Sequence, residues 1–258
     1  MRVFEAFNET ATKEYLKGLH GKAKVSFNDV YRVLGVEKAI NPIYGYGVEG
    51  HFLSYLNRYI TYPQRNKQPS RDYLNMLKQC YTQGDYFHMF GDDAAANERM
   101  IINIKTQEGA LILITHLLTV IPHYIRALKY YGVKQQLDKK FKYDKIVIYY
   151  NTSNRDDLYN AIKASPIGGD LFLKAISGFY HLYDDGNEKY FVGIGKEVGG
   201  TSFTTETTYA ILSEMTGKTI SYLKGVDNGI QLDVKADIKS LSSPDLAIRL
   251  FTAGKQVC

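Results

Sequence analysis

Arg99 and Lys105 bound one strand-like stretch of this chain, and Lys142 and Lys145 lead into a second. A lysine held on a sheet beside other cations, partly out of water, has its ammonium destabilised and can act as a general base. An arginine next to it can grip a phosphate with two parallel N–H bonds. Together these are the requirements for eliminating phosphate from phosphoserine or phosphothreonine, in which a neutral lysine takes the α-proton and bound cations stabilise the departing anion. A solvated charged face accounts for the same residues without any chemistry.

Other chemistries find little support. Gly45, Gly47 and Gly50 spell G-x-G-x-x-G, but no clear strand precedes them, so they read as a turn. No Walker loop, HExxH, GxSxG or spaced Cys–His pair occurs. His88, His116 and His123 are scattered, and Cys80 and Cys258 offer neither a zinc spacing nor a disulfide framework, so no metal or cofactor is expected.

The net charge of +5, with a pI near 8.9, is too modest to argue for nucleic acid. Its distribution says more. Between Arg126 and Lys145 stand seven cations, Arg126, Lys129, Lys134, Lys139, Lys140, Lys142 and Lys145, against Asp138 and Asp144. That stretch suits a phosphate- or carboxylate-bearing partner, and it also suits a plain solvated loop. The 22 tyrosines and absent tryptophan fit partly wet grooves or interfaces. No signal-peptide pattern opens the chain, and Leu111 to Ile121, stopped by Pro122, is too short to span a bilayer, so a cytoplasmic location and no membrane partner are expected.

The elements that must position these cations read as a β-α-β unit from Glu98 to Tyr150. In the first strand, Met100, Ile102 and Ile104 alternate against Arg99, Ile101, Asn103 and Lys105. A helix follows from Gly109 to Tyr131, its stripe of Leu111, Ile114, Leu117, Leu118 and Ile121 kinked at Pro122 and continued by Ile125, Leu128 and Tyr131. The second strand, Lys145 to Tyr150, is apolar on both faces and so internal.

Upstream, helical spacing marks residues 9–19, 52–60 and 70–81, while Val30 to Leu34 is either a short helix or an extended piece. Downstream come a helix from Arg155 to Ala164, two strands joined at Asp185-Gly186, a helix from Thr204 to Gly217, an edge strand at Ile230 to Val234, and a closing helix after Ser242-Ser243-Pro244. The expected class is α+β: a mainly helical N-terminal region (1–95) packed on a mixed or antiparallel sheet with flanking helices (96–258), compact as one domain.

Three short motifs carry a resemblance. R-x-x-x-N-I from Arg99 to Ile104 follows an alanine-asparagine run, F-K-Y-D-K-I-V-I-Y-Y from Phe141 to Tyr150 follows the long helix, and a Ser202-Phe203 pair precedes the late helix. Over residues 70–215 the chain resembles the HopA-type type III effector family. Relatives in that family are lyase components of dehydrated ribosomal peptide (lanthipeptide-type) biosynthesis, paired with a kinase-like phosphotransferase. The resemblance implies a phosphothreonine-lyase-like fold, Lys142 as base, and Arg99, Lys145 and Ser202 around a phosphate, with no cofactor; the reading of the strand cations adds Lys105 to that phosphate site.

It also implies a phosphorylated or acidic peptide or protein as partner, together with a kinase-like protein or a secretion chaperone, and secretion into a host cell if the chain is an effector. Several positions depart from the pattern. Lys145 stands where the family usually has an arginine, which keeps the charge but loses the bidentate fork. Thr207 stands where the family has an arginine in S-F-G-x-x-R, and Ile101 stands where phosphothreonine lyases place an acid histidine. Two functions follow: a phospho-Ser/Thr lyase, or a non-catalytic effector or peptide-recognition module of the same fold.

Overall fold

A computed structural model describes residues 2–4, 9–34, 81–83, 86–89, 96–131, 144–173, 179, 181–184, 189–197 and 203–257. In chain order the first elements are β1 (Arg2–Phe4), α1 (Glu9–Leu16), β2 (Lys24–Val25), α2 (Phe27–Leu34), β3 (Tyr81–Gln83) and β4 (Tyr86–Met89). The middle of the chain forms β5 (Glu98–Ile102), α3 (Gln107–Val120), β6 (Ile125–Tyr131), β7 (Ile146–Tyr150) and α4 (Arg155–Lys163). Then follow β8 (His181–Asp184), β9 (Val192–Lys196), α5 (Phe203–Thr216), α6 (Ile220–Lys224), β10 (Leu232–Asp233), α7 (Ala236–Lys239) and α8 (Ser243–Lys255). The class is α+β.

Among the described residues eight strands form one sheet in the order β1-β8-β9-β5-β7-β6-β4-β3, and β10 pairs with β2 in a second, two-stranded sheet. Every pairing is antiparallel. β7 is a run of β-branched and aromatic residues, and all five are buried, as a strand covered on both faces requires. β5 lies between β7 and β9, with Arg99 opposite Tyr149 on one side and Gly195 on the other.

Several expectations are corrected. The helix does not run to Tyr131. It stops at Val120, where Ile121 leaves helical geometry (φ −141°, ψ 41°) and Pro122 opens a short 3-10 turn. Residues 125–131 then form β6, with a register shift between Ile125 and Ala127. Proline can donate no helical N–H bond, and beyond the shift Leu128 and Tyr130 alternate with Ala127 and Lys129 at the strand period of two. The supposed β-α-β unit is thus β-α-β-β, its strands antiparallel. Tyr81 lies in β3 rather than at a helix end; the edge strand read at Ile230 to Val234 is β10, paired on one side only, with β2 in the small sheet. Helices expected at 52–60 and 70–80, and the Gly45 loop, lie outside the described residues.

On one sheet face sit α3 and α4. Thr106 caps α3 by accepting from the Gly109 N–H at 3.1 Å, and His116 on α3 is hydrogen-bonded at 3.0 Å to the Ala161 carbonyl of α4. Elsewhere α5 packs against α8 and α2, and α1 against α8. Ser242 caps α8 with Pro244 in its first turn, and Gly217 at φ 70° follows the end of α5, a conformation that glycine adopts without penalty. Phe27 meets Tyr209, and Phe179 stacks on Phe251, to close this bundle. Among the described residues no helix is long and apolar enough to cross a membrane.

Candidate functional site

Alternation along β5 turns Arg99 and Ile101 to one face and Glu98, Met100 and Ile102 to the other. A solvated cationic face is not what forms: Arg99 is 3% exposed, Ile101 1% and Asn103 0%. Two steps beyond Gly195, Glu197 returns to the Arg99 face, and its Oε2 stands 3.7 Å from Arg99 Nε with both side chains buried. That separation is an ion pair longer than a good hydrogen bond. Directly opposite Arg99 is Tyr149, whose ring lies under the Lys129 ammonium at 5.5 Å. His88 on β4 faces Lys129 in the register. One sheet face thus brings together a guanidinium, an ammonium, an aromatic ring and a carboxylate.

Lys145 stands at the other end of the same strand pair. It precedes β7, is 1% exposed, and its ammonium donates to the Ile104 carbonyl at 3.0 Å. Burial lowers its pKa to about 8, because the charged form loses its hydration. Lys105, just past Ile104, is exposed, and its N–H donates to the Leu171 carbonyl at 2.8 Å. The separation from Arg99 to Lys145 is four strand residues, about 13 Å. The structure therefore places Lys105 and Lys145 at one end of the strand pair, one exposed and the other buried, and Arg99 and Glu197 at the other. Lys142 and Ser202 lie outside the described residues. Ile101 and Thr207, two of the departures from the family pattern, are each 1% exposed.

Two partnerships escaped sequence reasoning. Glu197 ends the stretch V-G-I-G-K-E in phase with Gly195, and that phase was readable; its pairing with Arg99 needed the β5–β9 register. On the opposite face, Glu98 accepts from the Tyr150 hydroxyl and from Arg155 Nε, both at 2.9 Å, and also from Arg155 Nη2. Burial, reinforced by the Glu98 charge, raises the Tyr150 pKa, and the Glu98 bonds raise that of Arg155. Nearby, Tyr183 donates to Asp156 and meets Tyr159 edge-on at 4.7 Å. This network ties the start of α4 to the sheet. Among the described residues no group of His, Cys, Asp and Glu could hold a metal.

No family model matches the chain. No curated protein sequence matches it either. Two solved structures are similar in fold. An effector protein from Pseudomonas syringae pv. syringae strain 61 superposes with a TM-score of 0.52 at 12% identity, over 85% of this chain and 92% of that one. An effector protein from Pseudomonas syringae pv. tomato strain DC3000 superposes with a TM-score of 0.53 at 17% identity, over 85% and 91%. At such identities the likeness is one of fold. The fold of this chain resembles that of these two effector proteins.

Proposed function

We propose that this chain is an effector-type recognition module that holds a phosphorylated or acidic peptide on the Arg99 face of its sheet. The observation that carries the reading is the contrast between kept and lost groups. Arg99 retains a guanidinium on a face that also bears Lys129 over Tyr149, while Ile101 and Thr207, at the positions where a lyase would carry its acid and a further phosphate-binding arginine, are core residues. Binding of an anion needs only the first set; elimination needs both. The fold likeness to two effector proteins supports the same reading.

One observation favours the second reading, a phospho-Ser/Thr lyase releasing a dehydroamino acid. A lysine whose pKa is lowered to about 8 is neutral often enough near neutral pH to take a proton, so Lys145 joins Lys142 as a candidate base. Incubating the protein with a phosphothreonine peptide separates the two. Expected on the first reading is a peptide of unchanged mass, bound with an affinity that falls in Arg99→Lys and at high salt. Loss of phosphoric acid from the peptide, abolished in Lys142→Ala or Lys145→Ala, would instead establish the lyase. Absence of both binding and elimination would remove both.

A further inference from the structure

We propose that the surface formed by α2 and α6 is a docking site for an acidic segment of a partner protein, with Tyr31 and Tyr222 as its anchors. The inference goes beyond the peptide-binding reading and uses none of the Arg99-face residues. Phe27 and Tyr209 are buried where α2 packs on α5, and their rings meet at 4.7 Å. That contact is the floor of the surface. Tyr31, one turn further along α2, stacks on Phe27 at 5.6 Å and is 41% exposed. The Lys224 ammonium lies 5.7 Å over the Tyr209 ring, and Ile220, exposed and one turn earlier on α6, shares its side of that helix.

A helix of five residues is only about 7.5 Å long, so Tyr222 borders the same surface. It is 47% exposed, with the Lys218 ammonium 5.5 Å from its ring. Tyrosine supplies large contact area with few rotatable bonds, and Tyr and Arg are the side chains that most often dominate an interface.

The charges select the occupant. Each acid near the surface is already engaged: Glu206 by Lys224 at 2.9 Å, Asp29 by Ser26, Lys22 and Gln231, and Asp227 by the Gly229 N–H at 2.7 Å, while Asp233 stands across from Lys24 in the small sheet. Arg32, beside Tyr31, and Lys218 are exposed, and among the described residues no carboxylate pairs with either. Carboxylates interleaved with apolar side chains therefore complement this surface. A lipid surface calls for a denser cation cluster, and nucleic acid for a basic stripe that a net charge of +5 does not supply.

Fluorescence anisotropy of a labelled synthetic peptide, in which Asp and Glu alternate with Leu and Phe, tests the site on the full chain. Binding is expected, about tenfold weaker in Tyr222→Ala and in Arg32→Glu/Lys218→Glu, and falling with salt more steeply in the wild type than in the charge-reversed variant. All three side chains are exposed, so these variants keep the wild-type melting temperature. Tyr31→Ala also loses its stacking on Phe27, so Arg32→Glu/Lys218→Glu decides if that variant melts early. Absence of peptide binding, or binding that neither variant weakens, overturns the inference. Vesicles containing phosphatidylserine, or a single-stranded oligodeoxynucleotide, bound in preference to the peptide and released by the same variants would give the surface to a membrane or to nucleic acid and overturn it as well. A probe released by Arg99→Lys but not by the surface variants sits on the Arg99 face and removes the docking site, whereas loss of the phosphothreonine peptide alone in Arg99→Lys bears only on the Arg99 face.

Discussion

Neighbouring residues of β5 carry opposite charges to opposite faces of the sheet, and the two are treated differently. Glu98 is partly exposed and enclosed by the Tyr150 hydroxyl and the Arg155 guanidinium, all within hydrogen-bond reach. Arg99 is more deeply buried and meets Glu197 across 3.7 Å. A satisfied, half-wet cluster of the first kind fixes one arrangement, here the docking of α4 on the sheet. A buried pair of the second kind takes two charges out of water, so that removing one member leaves the other in the interior at a cost.

The largest effect should come from the deeper pair. Arg99→Met leaves the Glu197 carboxylate in the interior and is expected to lower the unfolding free energy by about 3–5 kcal/mol, whereas the double change Arg99→Met/Glu197→Met recovers most of the loss. Denaturant melts of the four proteins measure this coupling. A double variant destabilised by the sum of the losses in Arg99→Met and Glu197→Met would mean that the two charges do not depend on each other, and the contrast between the faces would collapse.

Next in size is Lys145, with a folded pKa of about 8 against an ordinary 10.5. Below pH 8 both folded and unfolded chains carry the proton, and the native state bears the full cost of the buried ammonium. As pH rises past 8 the native state releases that proton first, so the unfolded chain binds more protons and stability climbs, by up to about 3 kcal/mol at completion. Tyr150 and Tyr183 act in the opposite sense. Burial raises both, with Glu98 and Asp156 adding to it, so their contribution is lost as pH passes the ordinary tyrosine value of about 10. Melting temperatures between about pH 8 and pH 9.5 should therefore rise in the wild type and stay flatter in Lys145→Met; parallel curves would assign the rise to other groups.

Smaller effects belong to the α4 face. Arg155→Met removes the clasp on Glu98, but that side chain is 25% exposed, so solvent screening limits the loss to about 1–2 kcal/mol. Phosphopeptide affinity should be unchanged, because Arg155 faces away from Arg99; a matching loss of affinity would show that the two faces are not independent. Tyr183→Phe, which deletes only the hydroxyl that donates to Asp156, should cost about 0.5–1.5 kcal/mol and is read by the same melts.

Elements whose local signal is unambiguous were legible beforehand. KIVIYY reads as an internal strand because β-branched and aromatic residues face both ways, and the α8 start is spelled by Ser242-Ser243-Pro244. Residues 125–131 were not legible, because Ile125, Leu128 and Tyr131 satisfy a helical spacing by coincidence. The Pro122 break and pairing with β4 and β7 then decide for strand. The cations of the candidate site were found as residue types, but their division between the two ends of the β5–β7 pair required strand lengths and directions that periodicity does not contain.

By itself the sequence determined the α+β class, the central buried strands and the presence of Arg99 in a strand and of Lys145 at the start of another, since these follow from residue type and period. Only the tertiary structure decided that Arg99 is buried against Glu197, that Lys145 turns to the Ile104 carbonyl instead, and that Glu98 is clasped from α4. Each of those contacts joins residues distant in the chain, and which residues meet is set by antiparallel register and by what covers each face of the sheet, neither of which a local pattern encodes.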